Sequence, residues 1–323
     1  MRSLQIILRG CILCLGLGLC SPAAAAPRMI AIASIFPVAD IAQQIGGDRW
    51  EVLTLLPAGA SAHTYEPTPQ QVRQFAHAGV FFRIGLGLEF WLEKLVRVAA
   101  NSALLNVDLS EGIETIPTPV PALPATPPKH ARREARPEPH PMSTDNLHVH
   151  RHTGPDAHYW LDPIRMLRVV NRITQEFSQL DPEGATHYTE RAQSLRVNLE
   201  QLHNEIIQRT DGILNRRFIA LHAAWTYFAP RYNLVQAAVV EPFPGREPSP
   251  RYLADLAQFM RREQVQAVVI EPQLSTTAAQ ALARETGARV GLLDPYGGFG
   301  VPERDSYLAL MRYNVAALVK LLE

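Results

Sequence analysis

One long apolar stripe does most to limit what this chain can fold into. Over residues 182–211, Tyr188, Ala192, Leu195, Leu199, Leu202 and Ile206 follow one another at spacings of 4, 3, 4, 3 and 4 residues. That is the repeat of a single helix face. About 29 helical residues at ~1.5 Å each would span roughly 43 Å, longer than one small lobe is wide. The pattern predicts a rod joining two lobes. A surface helix belonging to the second lobe alone would leave the same stripe.

Short apolar runs alternate with helical patterns on both sides of this rod. Ahead of it, 29–35, 51–56, 80–84 and 103–107 read as strands, with a helical pattern following Pro37 to about Gly46 and helices over 67–78, 88–100 and 163–179. Beyond it, strands at 217–221, 234–240, 265–270 and 290–293 alternate with helices at 223–232, 250–263, 276–287 and 304–322. Ser249 is placed to cap the second of these helices. Such alternation makes an α/β fold with largely parallel sheets. The expected architecture is two lobes, each a mainly parallel sheet flanked by helices, joined by one long rigid helix. The expected boundaries are a leader at 1–25, a first lobe at 26–180, the linking helix at 181–212 and a second lobe at 213–323. No internal sequence repeat accompanies the architectural echo.

The alternation is interrupted once. Residues 117–157 hold ten prolines and five histidines, without a period of 2 or 3.6, and read as a long flexible insertion. The N-terminus is a second special segment. Arg2 and Arg9 precede an 11-residue apolar run, 10–20, which leads to Ala23-Ala24-Ala25-Ala26-Pro27. A charged start, a short apolar stretch and small residues at a cleavage site describe a secretory signal peptide, best cut after Ala25. Cys11, Cys14 and Cys20 all lie inside it, so the mature chain has neither thiol nor disulfide. Leu19 ahead of Cys20 is a poor match to a lipobox, so a lipid anchor at Cys20 is not expected. The compartment expected is the periplasm.

Charge excludes some partners. The chain carries 31 basic and 31 acidic residues and no net charge, and removal of the leader takes away two arginines and leaves a small negative balance. Nucleic-acid binders usually show a basic excess, so no nucleic acid is expected. Gly85-Leu86-Gly87-Leu88-Glu89-Phe90, with Asp108 downstream, half-matches a dinucleotide fingerprint, but the third glycine is missing. No Walker loop, H-E-x-x-H or G-x-S-x-G occurs.

The histidines say more. His63 follows the Pro57-Ala58-Gly59 turn, His222 directly follows Phe218-Ile219-Ala220-Leu221, and His158 opens His-Tyr-Trp-Leu-Asp-Pro beyond the insertion. Asp294 ends Val290-Gly291-Leu292-Leu293. Ligands of open α/β sheets collect at the carboxyl ends of strands, so two groups from each lobe could meet in a cleft. Three neutral imidazoles and one carboxylate suit a closed tetrahedral zinc site. Taken singly, each of the four is an ordinary polar residue. His77, His187 and His203 fit helix positions.

The segment Pro57-Ala-Gly-Ala-Ser-Ala-His-Thr-Tyr-Glu-Pro-Thr-Pro69 resembles the first-ligand segment of the cluster A-I solute-binding proteins, the zinc and manganese receptors of ABC importers. Gly85-Leu-Gly-Leu-Glu-Phe-Trp-Leu, His158-Tyr-Trp-Leu-Asp-Pro, His222-Ala-Ala-Trp-Thr-Tyr-Phe-Ala, Gly245-Arg-Glu-Pro-Ser-Pro, Glu271-Pro-Gln and Leu293-Asp-Pro-Tyr-Gly agree with that family in order. The resemblance implies a metal held between the lobes by His63, His158, His222 and Asp294. It implies Zn2+ as transported ligand, an ABC-type metal permease in the inner membrane as partner, a monomer, and no catalysis. Manganese members tend to carry glutamate at the third ligand position, whereas here it is His222; imidazole suits zinc and oxygen donors suit manganese. Ala62 stands where some zinc members have an acidic residue.

The insertion also matches a zinc-branch habit. His130, His140, His148, His150 and His152 lie in it, and His148, His150 and His152 alternate, as an extended backbone requires to point all three to one side. They form an auxiliary weak metal site or an incidental run in a polar linker, beside Arg132, Arg133 and Arg136. Other functions fit less well. These are a manganese or iron receptor of the same family, a metal-dependent adhesin, and a zinc hydrolase, which needs an open coordination position and a base such as Glu66.

Overall fold

The computed structural model describes residues 28–92, 101–118 and 154–323. The leader, His130, His140, His148, His150 and His152 lie outside the described residues, as does most of the helix expected at 88–100.

Two four-stranded parallel sheets organise the described chain. β1 (Met29–Ala33), β2 (Trp50–Thr54), β3 (Val80–Arg83) and β4 (Leu105–Asp108) lie in the order β2-β1-β3-β4. β5 (Arg217–Ala220), β6 (Val235–Val239), β7 (Ala267–Ile270) and β8 (Arg289–Leu292) lie in the order β6-β5-β7-β8. The two orders are the same topology. The sequence carries no repeat, yet the architecture does.

Successive strand residues point to opposite faces of a sheet, and both faces here are apolar. Ala31, Ala33 and Phe82 enter one core, while Ile32 and Phe81 enter another on the outer face of the first sheet. Phe218 and Ala220 join the first of these cores, and Ile219 and Leu221 an outer core of the second lobe. Parallel sheets are covered on both sides, which is why these strands read as continuous apolar runs. The shared core runs without a break from Ala31 to Leu322 and includes the stripe of the long helix.

That helix is Ala185–Asp211, led in by a 3-10 turn at Pro182–Gly184. It buries Tyr188, Ala192, Leu195, Leu199, Leu202 and Ile206, with Thr210 added. It packs on the helices Pro163–Leu180 and Tyr307–Leu322. Its N-terminal end is pinned to the first lobe. Arg49 donates to Asp181 from Nε and Nη2, at 2.5 and 2.8 Å, the Tyr188 hydroxyl donates to the same carboxylate, and Trp50 Nε1 donates to the Tyr188 oxygen at 3.0 Å.

Several elements are shorter than the sequence suggests. The helix expected at 67–78 is Pro69–Gln74, opened by a reciprocal Thr68–Gln71 capping box. Phe75, Ala76 and His77 turn their N–H groups to carbonyls three residues back, so the helix ends in tight turns. The helix expected at 223–232 breaks at Trp225, whose N–H is taken by Gln236 Oε1. It becomes a 3-10 turn, Ala223–Thr226, and a short helix, Phe228–Arg231. The helix expected from 304 starts at Tyr307, capped by Ser306, which leaves Arg304 in a turn and free to reach the cleft.

Candidate metal centre

Loops at the carboxyl ends of the strands meet between the two sheets, and there the structure gathers three histidines. His222 stands two residues beyond β5 and directly precedes the turn Ala223–Thr226. His158 opens the 3-10 turn His158–Leu161. His63 lies in the turns after β2, where its backbone N–H donates to Ser61 Oγ at 3.3 Å. His158 and His222 are buried, and His63 is half-buried.

Their rings converge through one kind of atom. His63 Nε2 and His158 Nε2 are 3.4 Å apart, and His222 Nε2 and His158 Nε2 are 3.3 Å apart. Four donors at ~2.0–2.1 Å from a tetrahedral zinc stand roughly 3.3–3.4 Å from one another. The imidazole spacing is therefore that of a zinc coordination edge. All three ligand nitrogens lie within 4.8 Å of one another.

Two of the rings are held from behind by carboxylates. Asp156 Oδ1 lies 2.9 Å from His158 Nδ1 and accepts the His158 backbone N–H at 2.7 Å. Glu271 Oε2 lies 2.7 Å from His222 Nδ1. A proton on Nδ1 facing a carboxylate leaves the Nε2 lone pair for a metal. Burial disfavours charge on His222, but the carboxylates of Glu271, Asp156 and Glu241 outweigh it and raise its pKa above the ordinary 6.5. Burial likewise opposes ionisation of Asp156, but the charge of His158 and its hydrogen bonds hold that carboxyl below its usual range.

Asp294 is placed at the cleft, two residues beyond β8, and is buried. It falls outside the three-imidazole cluster. Its Oδ1 accepts from Gln273 Nε2 at 2.7 Å and from the N–H groups of Tyr296 and Gly297 at 3.0 Å. Its Oδ2 accepts from Arg304 Nη1 at 2.9 Å. Sequence reading named Asp294 but missed Arg304, Asp156 and Glu271 in these roles. Glu271 left a signal: it ends the apolar run Ala267-Val-Val-Ile, as His222 ends Phe218-Ile-Ala-Leu.

The lobes touch around this cluster. Trp160 Nε1 donates to the Pro295 carbonyl at 2.8 Å, and Tyr307 Oη donates to the Trp160 carbonyl at 2.8 Å. Arg231 clamps the buried Asp162, with Nη2 at 2.7 Å from Oδ2. Gly245, at φ +79°, approaches so closely that a Cβ there would lie 2.6 Å from Thr64 Cγ2, beside His63. The Gly85 loop is no phosphate cradle, because Glu89 accepts the Ile84 and Gly85 N–H groups at 2.8 and 3.1 Å. Glu66 is exposed. His203, on the long helix, sets Nδ1 3.2 Å from Tyr232 Oη and is not one of the three converging imidazoles.

The sequence profile of the family ZnuA, zinc-uptake complex component A periplasmic, matches residues 32–321. The chain belongs to this family. It is similar to the high-affinity zinc uptake system protein ZnuA of Bacillus subtilis strain 168, with 25% identity over 294 residues, 90% of this chain and 86% of that protein. A crystal structure of a zinc-bound ZnuA deletion mutant superimposes with a TM-score of 0.75 at 30% identity, covering 92% of this chain and 99% of that one. A Mn-bound periplasmic metal-binding protein from Candidatus Liberibacter asiaticus shares the fold at 20% identity with a TM-score of 0.71, covering 92% of this chain and 100% of that one. The ZnuA family supplies periplasmic zinc-binding components of ABC transporters, and this chain is one of them. Its role is transport and not catalysis. Among the described residues, no helix is long and apolar enough to cross a membrane.

Proposed function

We propose that the chain captures Zn2+ with Nε2 of His63, His158 and His222, takes Asp294 as fourth ligand, and delivers the ion to an ABC-type metal permease in the inner membrane. The observation that carries this reading is the 3.3 and 3.4 Å spacing of the three Nε2 atoms. Asp294 suits the fourth position because Oδ2 has one donor on it and keeps a lone pair. The same proposal includes export by the 1–25 leader without a lipid anchor at Cys20. It also includes division into lobes at 26–180 and 213–323 about the 181–212 link, and a weak auxiliary role for His148, His150 and His152.

Imidazole nitrogens favour zinc over manganese, which prefers oxygen and sits lowest in the divalent affinity order. The zinc-bound ZnuA deletion mutant supports the same choice. Metal analysis of the purified protein, followed by a competition titration, tests it. One tightly held zinc per chain is the expected result. Manganese that purifies with the protein and resists displacement by zinc would overturn it.

A further inference from the structure

Glu271 is fully buried, and neither carboxylate oxygen has a well-angled hydrogen bond to any described residue. It faces His222 Nδ1 at 2.7 Å, itself buried. A buried carboxylate without hydrogen bonds is costly, and costlier still without a nearby positive charge. Its place directly after β7, which lies beside β5, sets it against Nδ1 of the His222 ring, opposite the converging Nε2 atoms. It is not a metal ligand. The first lobe has a counterpart in Asp156 behind His158, but that carboxylate is well supplied, by the ring and by the His158 backbone N–H.

Charge accounts for the arrangement. A divalent ion on three neutral imidazoles leaves two positive charges in a buried site. The Asp294 carboxylate is paired with Arg304 at 2.9 Å, so its negative charge is largely matched already. Glu271 and Asp156 each set a carboxylate behind a ligand imidazole, one from each lobe, and Glu241 is a further buried carboxylate whose field reaches His222.

We infer that Glu271 is a positioning residue for the metal site: it fixes His222 with its proton on Nδ1 and its lone pair on Nε2 facing the ion, and with Asp156 it provides the charge that makes the buried site select a divalent cation. This rests on the zinc reading above. Glu271→Gln keeps an acceptor for Nδ1–H and removes the charge; Glu271→Ala removes both. Loss of such a partner behind a metal-bound histidine typically lowers affinity by about 10–100-fold. The expected order of zinc affinity is therefore wild type, then E271Q, then E271A, with at least about tenfold from first to last.

The test is a zinc competition titration of the three full-length proteins. It is paired with nitrogen-15 NMR of the His222 ring in the unaltered protein, which does not depend on the variants folding. Nδ1 protonated and Nε2 metal-bound in the zinc form, with the affinity order above, supports the role. Affinities of both variants within twofold of wild type, or zinc on Nδ1 of His222, overturns it and leaves zinc binding by the chain standing. Failure of the unaltered chain to take up zinc overturns the zinc reading itself, and this inference with it.

Discussion

The two lobes are built on one topology and yet deliver their histidines differently. In the second, His222 lies two residues beyond β5 and Asp294 two beyond β8. In the first, His63 lies nine residues beyond Thr54 at the end of β2, and His158 lies fifty beyond Asp108 at the end of β4. A side chain at a strand end inherits the rigidity of the sheet, whereas one on a longer connection depends on what that connection packs against. His158 is buried beside Asp156 in the turn around Trp160, and His63 is half-buried. The comparison assigns the second lobe the fixed half of the site and His63 the adaptable edge.

The largest effect that sharpens this contrast is His222→Ala. Apparent binding energies of ~10–16 kcal/mol shared among four ligands come to about 2.5–4 kcal/mol each, or roughly 10²–10³ in affinity. His222→Ala also strips Glu271 of the group it faces. His63→Ala should cost less, because a half-buried edge position leaves room for water as a substitute ligand. Isothermal titration of both variants decides. An equal or greater loss for His63→Ala would break the distinction between fixed and adaptable ligands.

Acid provides the next test. The raised pKa of His222 means that the metal-free fold holds a proton there more tightly than the unfolded chain, whose histidines titrate near 6.5. Its contribution to metal-free stability is full below about pH 6.5 and is lost as pH rises through the raised value. Zinc requires the neutral ring. The rise in Tm caused by zinc should therefore shrink steadily from about pH 7.5 to about pH 5.5. A zinc-induced shift that stayed constant over that range would show that histidines do not dominate the site.

The contrast between lobes was only partly legible in the sequence. The stripe from Tyr188 to Ile206 announced the long helix because its spacing is a local property. His222 and Asp294 were legible as strand ends for the same reason. Glu271 ends a strand as plainly as His222, but its role depends on β7 lying beside β5, and sheet order is a long-range fact that no spacing encodes. Arg304 was hidden inside an expected helix, which Ser306 in fact delays to Tyr307. Trp225 interrupts another expected helix with non-helical backbone angles, and its N–H meets a glutamine eleven residues on, a contact formed only in the folded chain.

The smallest effect is expected from removing the histidine-rich segment. Residues 130–152 are proline-rich and charged. Ordering each residue there around an ion would cost about 1–2 kcal/mol, more than a few imidazole contacts could offset. Deletion of 130–152 should leave tight zinc affinity within about threefold while abolishing any weaker second equivalent seen by calorimetry. Loss of tight binding would mean that this segment supplies a ligand in place of His158.

X-ray absorption at the zinc edge of the loaded protein bears most directly on the central claim, that three imidazoles from two lobes hold the ion. The account predicts four-coordinate zinc with three nitrogens at ~2.0–2.1 Å, imidazole multiple-scattering features, and one oxygen at a similar distance. A six-coordinate shell dominated by oxygen, or fewer than three imidazoles, would contradict it.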